Sequence, residues 1–180
     1  ILLIGGGSSV EKYQQQIIDH VKEKDLKVIF LNINKYIPEE MGVATIVSHE
    51  IRAYLDASFY NQLSHPLIIP MKTLGKVISK YIKNIEFLDY GLNLKEGVMQ
   101  IGEKSCILDS SVVAGYALAI CTRGGAKKIN LVGFDGYQKE DIRYQEMEKI
   151  FSNYSNLAES VDLLSLTPTN YKLLTKLLDD

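Results

Sequence analysis

Residues 1–9 read Ile1-Leu2-Leu3-Ile4-Gly5-Gly6-Gly7-Ser8-Ser9, and this stretch decides the fold. Four apolar residues of strand type run into three glycines and two serines. A segment with Val10, Tyr13, Ile17 and Val21 on one helical face follows at once. A buried strand that ends in glycines and hands over to a helix aims free backbone N–H groups and the positive end of the helix dipole at one point. An anion fits there. GGGSS matches neither GxGxxG nor a Walker loop, since no Lys-Ser/Thr follows, so a tight turn without a ligand stays open as the alternative. A core strand with no lead-in and no initiator methionine predicts that residues 1–180 form one domain of a longer chain.

Working outward, helical faces recur at Ile51, Tyr54, Leu55 and Phe59, and at Leu74, Val77, Ile78, Tyr81 and Ile82. They recur again at Tyr144, Met147, Phe151 and Tyr154, and at Tyr171, Leu174 and Leu178, the last set opened by a Thr167-Pro168 helix start. Strand candidates lie between them at 1–4, 28–32, 45–48, 67–69, 86–90, 129–132 and 161–165. This alternation predicts an α/β fold: a doubly wound, mostly parallel, Rossmann-like sheet with helices on both faces. Residues 89–105, with Gly91, Gly97 and Gly102, read as a loop or short hairpin, a candidate lid.

Composition narrows the function classes. Twenty Lys and Arg against twenty-two Asp and Glu give a net charge of −2 with no long block of either sign, so neither nucleic acid nor a polybasic membrane contact is expected. The longest uncharged run, residues 110–122, is shorter than the about 20 residues a bilayer requires and reads as a buried helix. Cys106 and Cys121 form no CxxC, and two cysteines in 180 residues are no disulfide framework; reduced core thiols and a cytoplasmic setting are expected. His20, His49 and His65 are scattered without metal-ligand spacing, and no GxSxG elbow is present, so no metal is expected on this chain.

In an open α/β sheet the ligand lies outside the carboxyl ends of the strands, where the strand order reverses. Four segments are candidates to meet there. Gly5, Gly6 and Gly7 let a ligand approach the backbone, and Ser8 and Ser9 carry hydroxyls for a phosphate or a helix cap. Asn32, with Asn34 beyond it, ends the second strand as an amide able to read a base or ribose; an acidic residue there would favour NAD, and Asx turns are the alternative. Asp109, Ser110 and Ser111 open the uncharged helix as a cap that would also face the cleft. Gly133-Phe134-Asp135-Gly136-Tyr137 places a carboxylate on a glycine-flanked turn, suited to sugar hydroxyls or to base catalysis, and Tyr137 to a phosphate. An Asp135 that merely supports its own turn is the alternative.

The glycine loop, Asn32, the Ser110/Ser111 turn, Gly125-Ala-Lys-Lys-Ile129 and Leu131-Val-Gly-Phe-Asp-Gly-Tyr137 resemble, in order and spacing, the bacterial sialyltransferases that use CMP-activated sialic acid. That resemblance implies that Gly5 to Ser9, Asn32, Ser110, Ser111, Asp135 and Tyr137 line a nucleotide-sugar cleft. The family's catalytic base is a histidine shortly before the last helix, where this chain reads Leu163-Leu164-Ser165-Leu166-Thr167. Serine is no base near neutral pH, so glycosyl transfer by this chain would require a base moved elsewhere, for instance to Asp135. Residues 111–137 also resemble the C-terminal domain that follows a metal-dependent barrel in proteins similar to 4-hydroxy-2-oxovalerate aldolase and HMG-CoA lyase of bacterial surface-polysaccharide loci. That likeness implies an accessory domain that binds a nucleotide or phosphorylated sugar, with the divalent metal and the aldol chemistry on the barrel. The barrel domain, or a second copy of the chain, is then the expected protein partner, and a docking or dimerisation role is a further alternative.

Overall fold

Leu2, Leu3 and Ile4 are wholly buried, which for consecutive strand residues means that both faces of the sheet are covered. They form β1 (Leu2–Ile4) in a computed structural model that describes residues 1–178, the Val77 side chain excepted. The expected domain of 1–180 therefore ends on two residues outside the described range. From β1 the chain runs through α1 (Ser9–Lys12), α2 (Gln14–Lys24), β2 (Val28–Leu31), β3 (Gly42–Ile46), α3 (Glu50–Leu55) and α4 (Ala57–Tyr60). It continues through β4 (Leu67–Ile69), α5 (Met71–Tyr81), β5 (Phe87–Asp89), β6 (Gly91–Leu94), β7 (Gln100–Ile101) and β8 (Ser105–Leu108). It closes with α6 (Val113–Arg123), β9 (Lys128–Val132), α7 (Ile142–Ser155), β10 (Asp162–Ser165) and β11 (Leu174–Thr175).

Eight strands pair in the order β11-β10-β9-β1-β2-β3-β4-β5, every pair parallel, in the Rossmann-like α/β arrangement expected from the alternation. Strand alternation sorts the core. Leu2, Ile4, Val28 and Phe30 pack with Ile17 and Val21 of α2 on one face. Leu3, Ile29 and Leu131 pack with Tyr116 of α6 and Phe151 of α7 on the other. Each such side chain contributes roughly 1.5–3 kcal/mol through burial. Successive strands step away from β1 on one side as far as β5, and the chain then returns through α6 to place β9 on the other side of β1. The order therefore turns at β1.

Four local expectations change. Ile51, Tyr54 and Leu55, read as a buried face, are 60%, 53% and 62% exposed, while Ala53, Ala57 and Tyr60 are buried. The helix breaks at Asp56, and small Ala53 and Ala57 let the pair of short helices approach the sheet more closely than the larger residues would allow. Residues 89–105 hold the expected short hairpin, β7 antiparallel to β8, but as a lid they change: β6, β8 and β7 form a small second sheet packed on α6, tied to it where the Tyr116 hydroxyl donates to the Tyr90 carbonyl. The helix expected after Thr167-Pro168 is absent, and residues 167–171 run in extended and turn form alongside residues 133–137 before β11. The competing interaction is visible: Thr169 Oγ1 donates to the Phe134 carbonyl at 2.6 Å and Asn170 N–H to the Asp135 carbonyl at 2.8 Å. Finally, β3 begins at Gly42, where a Cβ would lie 2.3 Å from the Phe30 ring.

Cys106 and Cys121 are buried free thiols, and burial pushes both up to about 12, so neither is a thiolate at neutral pH. Among the described residues no helix is long and apolar enough to cross a membrane.

Candidate functional site

A cleft of about 810 Å³ opens at the carboxyl ends of β1, β2 and β9, where the strand order turns. Its walls are residues 5–8 after β1, 31–36 after β2 and 133–137 after β9, closed by residues 112–114 at the start of α6 and by Arg52, Asp56, Met147 and Tyr171. Gly5, Gly6, Gly7, Ser8, Asn32, Gly133, Asp135 and Tyr137 thus come together from three loops. Ser9, Ser110 and Ser111 do not line it. Helix α6 starts at Val113 without a side-chain cap, Asp109 instead pairs with Lys149 at 2.7 Å, and the Ser111 carbonyl accepts from Ser48 Oγ at 2.7 Å. That ion pair holds the Asp109 carboxyl below its usual range.

The three glycines have different reasons to be glycine. A Cβ on Gly5 would lie 2.6 Å from the Gly133 carbonyl oxygen, and one on Gly133, whose φ is +72°, 2.5 Å from Val10. The β1 and β9 loops touch there through bare backbone. A Cβ on Gly7 would lie 2.5 Å from the Asp135 carboxyl, so Gly7 makes room for that side chain. Gly6 meets nothing within 4 Å and is the glycine that faces open cleft.

Asp135 explains both serines. Its carboxylate accepts from Ser9 N–H at 2.8 Å, from Ser8 Oγ at 3.2 Å and from Ser9 Oγ. Behind Ser9, Thr167 Oγ1 lies 3.1 Å from Ser9 Oγ and accepts from Gly133 N–H at 3.2 Å. Each hydroxyl has one proton, so the consistent chain runs from Gly133 N–H to Thr167, from Thr167 to Ser9, and from Ser9 to Asp135. Ser8, at the helix start, makes no side-chain cap. The backbone is similarly engaged: Gly5 N–H donates to Val132 and Gly7 N–H to Gly133, each at 2.9 Å. Among the described residues the Gly6 and Ser8 N–H groups donate to no protein atom. A phosphate on the Ser9 amide would therefore have to displace a carboxylate, and two unit charges about 4 Å apart repel by about 4 kcal/mol at an effective dielectric near 20.

The wall after β2 is of different character. Asn32 sits in the left-handed region at φ +59°, its N–H donating to the Ile46 carbonyl and its side chain without a partner among the described residues. Asn34 braces its own loop: Nδ2 donates to the Ile37 carbonyl at 2.6 Å, and Oδ1 accepts from Tyr36 and Ile37 N–H at 3.3 Å. Beside them stand Lys35 and Arg52, the latter 3.9 Å from Asp56 and mostly exposed. The cleft thus carries two cations with Asp56 on the β2 and α3 side, and Asp135 on the glycine side. Tyr137 is 40% exposed, with the Arg143 guanidinium 4.1 Å above its ring. Arg143 is clamped by Asp141 at 2.5 Å. Burial, with Tyr137 nearby, pushes Tyr171 up to about 12, and a hydrogen bond to Glu11 raises Tyr36. Both phenols keep their protons at neutral pH and serve as hydrogen-bonding groups.

None of the three histidines lines the cleft, and among the described residues no group of three or more His, Cys, Asp or Glu is placed to hold a metal. Lys35 and Tyr36 adjoin the Asn32 signal and were readable as the rest of its loop. Arg52 and Met147 were not, because only the packing of α3 and α7 brings them to the strand ends. Comparison with family models, with curated proteins and with solved structures finds no match to this chain.

Proposed function

We propose that this chain binds a nucleotide or phosphorylated sugar in the cleft at the ends of β1, β2 and β9, as an accessory domain to an aldolase, without cleaving aldols itself. The observation that carries the reading is the cleft itself: a pocket at the turn of strand order, within the roughly 300–1,000 Å³ range of small-molecule sites, that gathers bare backbone at Gly6, an amide at Asn32 and cations at Lys35 and Arg52. Leu31, Ile33, Val113 and Met147 add apolar surface suited to a base or sugar ring. The link to an aldolase barrel and a bacterial polysaccharide setting rests on the sequence resemblance over residues 111–137, and the cytoplasmic location on two cysteines that form no disulfide framework. Sialyl transfer with Asp135 as base has less support, since Ser8 and Ser9 already hold that carboxylate with three donors.

The test is thermal unfolding with CMP, UDP, GDP and inorganic phosphate, repeated on Gly6→Val. A ligand at one hundred times its dissociation constant stabilises the fold by about 2.7 kcal/mol. A shift selective for one nucleotide and lost in Gly6→Val supports the reading; no shift with any of them overturns it. The exposed Ile51, Tyr54 and Leu55 favour a second reading, self-association through α3. Sedimentation would then show a dimer that Leu55→Glu dissociates.

A further inference from the structure

The glycine loop of this chain already has an anion, and it is covalently its own. Asp135 Oδ2 takes the Ser9 amide at 2.8 Å, both serine hydroxyls point to the same carboxylate, and Gly7 lacks a side chain because the carboxyl fills that space. The Gly5 and Gly7 amides are bonded to the β9 segment. A ligand phosphate brought to this side meets a fixed negative charge and two unengaged amides; brought to the β2 and α3 walls of the same cleft, it meets Lys35 and Arg52. Two carboxylates stand on that side: Asp56, with Arg52 3.9 Å away, and Glu11 beside Tyr36.

Resting on the nucleotide or sugar-phosphate reading above, we infer that the ligand binds with its anionic group against Lys35 and Arg52, on the β2 and α3 walls of the cleft rather than on the glycine loop, and with its hydroxyl-bearing part toward Gly6, Ser8 and Asp135. This reverses the polarity that the sequence of the glycine loop leads one to expect. The loop remains part of the site, because hydroxyl groups donate to a carboxylate and accept from the Gly6 and Ser8 amides, whereas a phosphate does only the second. Chemically, the site selects molecules with a hydroxylated ring and an anion at opposite ends.

Isothermal titration separates the two polarities. CMP, UDP and GDP are each compared with the corresponding nucleoside, and glucose 6-phosphate with glucose, on the wild-type chain and on the double variant Lys35→Gln/Arg52→Gln. Both side chains are largely exposed, and the melting temperature without ligand reports any folding defect. For the nucleotide or sugar phosphate that binds, wild type should prefer the phosphorylated form at least tenfold, the scale of a charge-assisted hydrogen bond, and the double variant should bring that ratio close to one. An unchanged ratio in the double variant, with binding abolished by Gly6→Val, would place the phosphate on the glycine loop and overturn the inference while leaving the cleft reading intact. Failure of every probe to bind wild type overturns both.

Discussion

At the scale of single residues, the glycine loop is a mixture of structural and open positions. Gly5→Ala and Gly133→Ala bring a Cβ to 2.6 Å from the Gly133 carbonyl oxygen and 2.5 Å from Val10, well inside contact distance, and each should cost roughly 1–3 kcal/mol by urea denaturation. Gly6→Ala should leave stability within about 0.5 kcal/mol of wild type. Asp135→Ala strands the Ser9 amide and hydroxyl, an expected loss of about 1–3 kcal/mol seen in the same measurement. The surroundings of one histidine were invisible in the sequence. His65 is 7% exposed, with Nε2 2.8 Å from Thr45 Oγ1 and Nδ1 3.0 Å from Glu39 Oε1, close enough for an ion pair on protonation but not aligned as a hydrogen bond. Burial lowers its pKa below the ordinary 6.5, against the pull of Glu39. The folded chain therefore resists a proton that the unfolded chain accepts, so this contribution is present above about pH 6.5 and fades as pH falls below it. Stability lost between pH 7.5 and 5.5 should be smaller in His65→Gln than in wild type; an equal loss would remove His65 from the account.

At the scale of elements, the tail and α3 carry the lesson. Thr167-Pro168 has the sequence of a helix start, but Thr167, Thr169 and Asn170 bond instead to the Gly133 amide and to the Phe134 and Asp135 carbonyls. Hydrogen bonds to a distant loop outweigh a local preference worth a few tenths of a kcal/mol per residue. Thr167→Val, which keeps the shape and removes the hydroxyl, should destabilise by about 1 kcal/mol or more in the same urea assay. In α3 two faces carry apolar spacing, and the sheet takes the one with alanines. Leu55→Glu should change monomer stability by no more than about 0.5 kcal/mol, whereas Leu74→Ala, at the wholly buried α5 position, should cost about 2–5 kcal/mol.

At the scale of the whole molecule, three loops that are far apart in sequence form one cleft because their strands are neighbours around β1. A bound nucleotide should slow hydrogen exchange at residues 5–9, 32–36 and 133–137 together, and leave the small sheet of β6, β8 and β7 unchanged; protection confined to one loop would contradict a shared site. The strand candidates and the glycine, Asn32 and Asp135 segments were legible because each is local: apolar runs, turn residues and their order along the chain are properties of neighbours. That locality was enough to specify a parallel, doubly wound sheet and the strand ends where a ligand would lie. The chain order could not say that the Asp135 carboxylate sits against Ser8 and Ser9, that Arg52 faces the cleft, or that the tail is not a helix. Those are contacts between residues more than twenty positions apart, and only the packing of the sheet decides which groups meet.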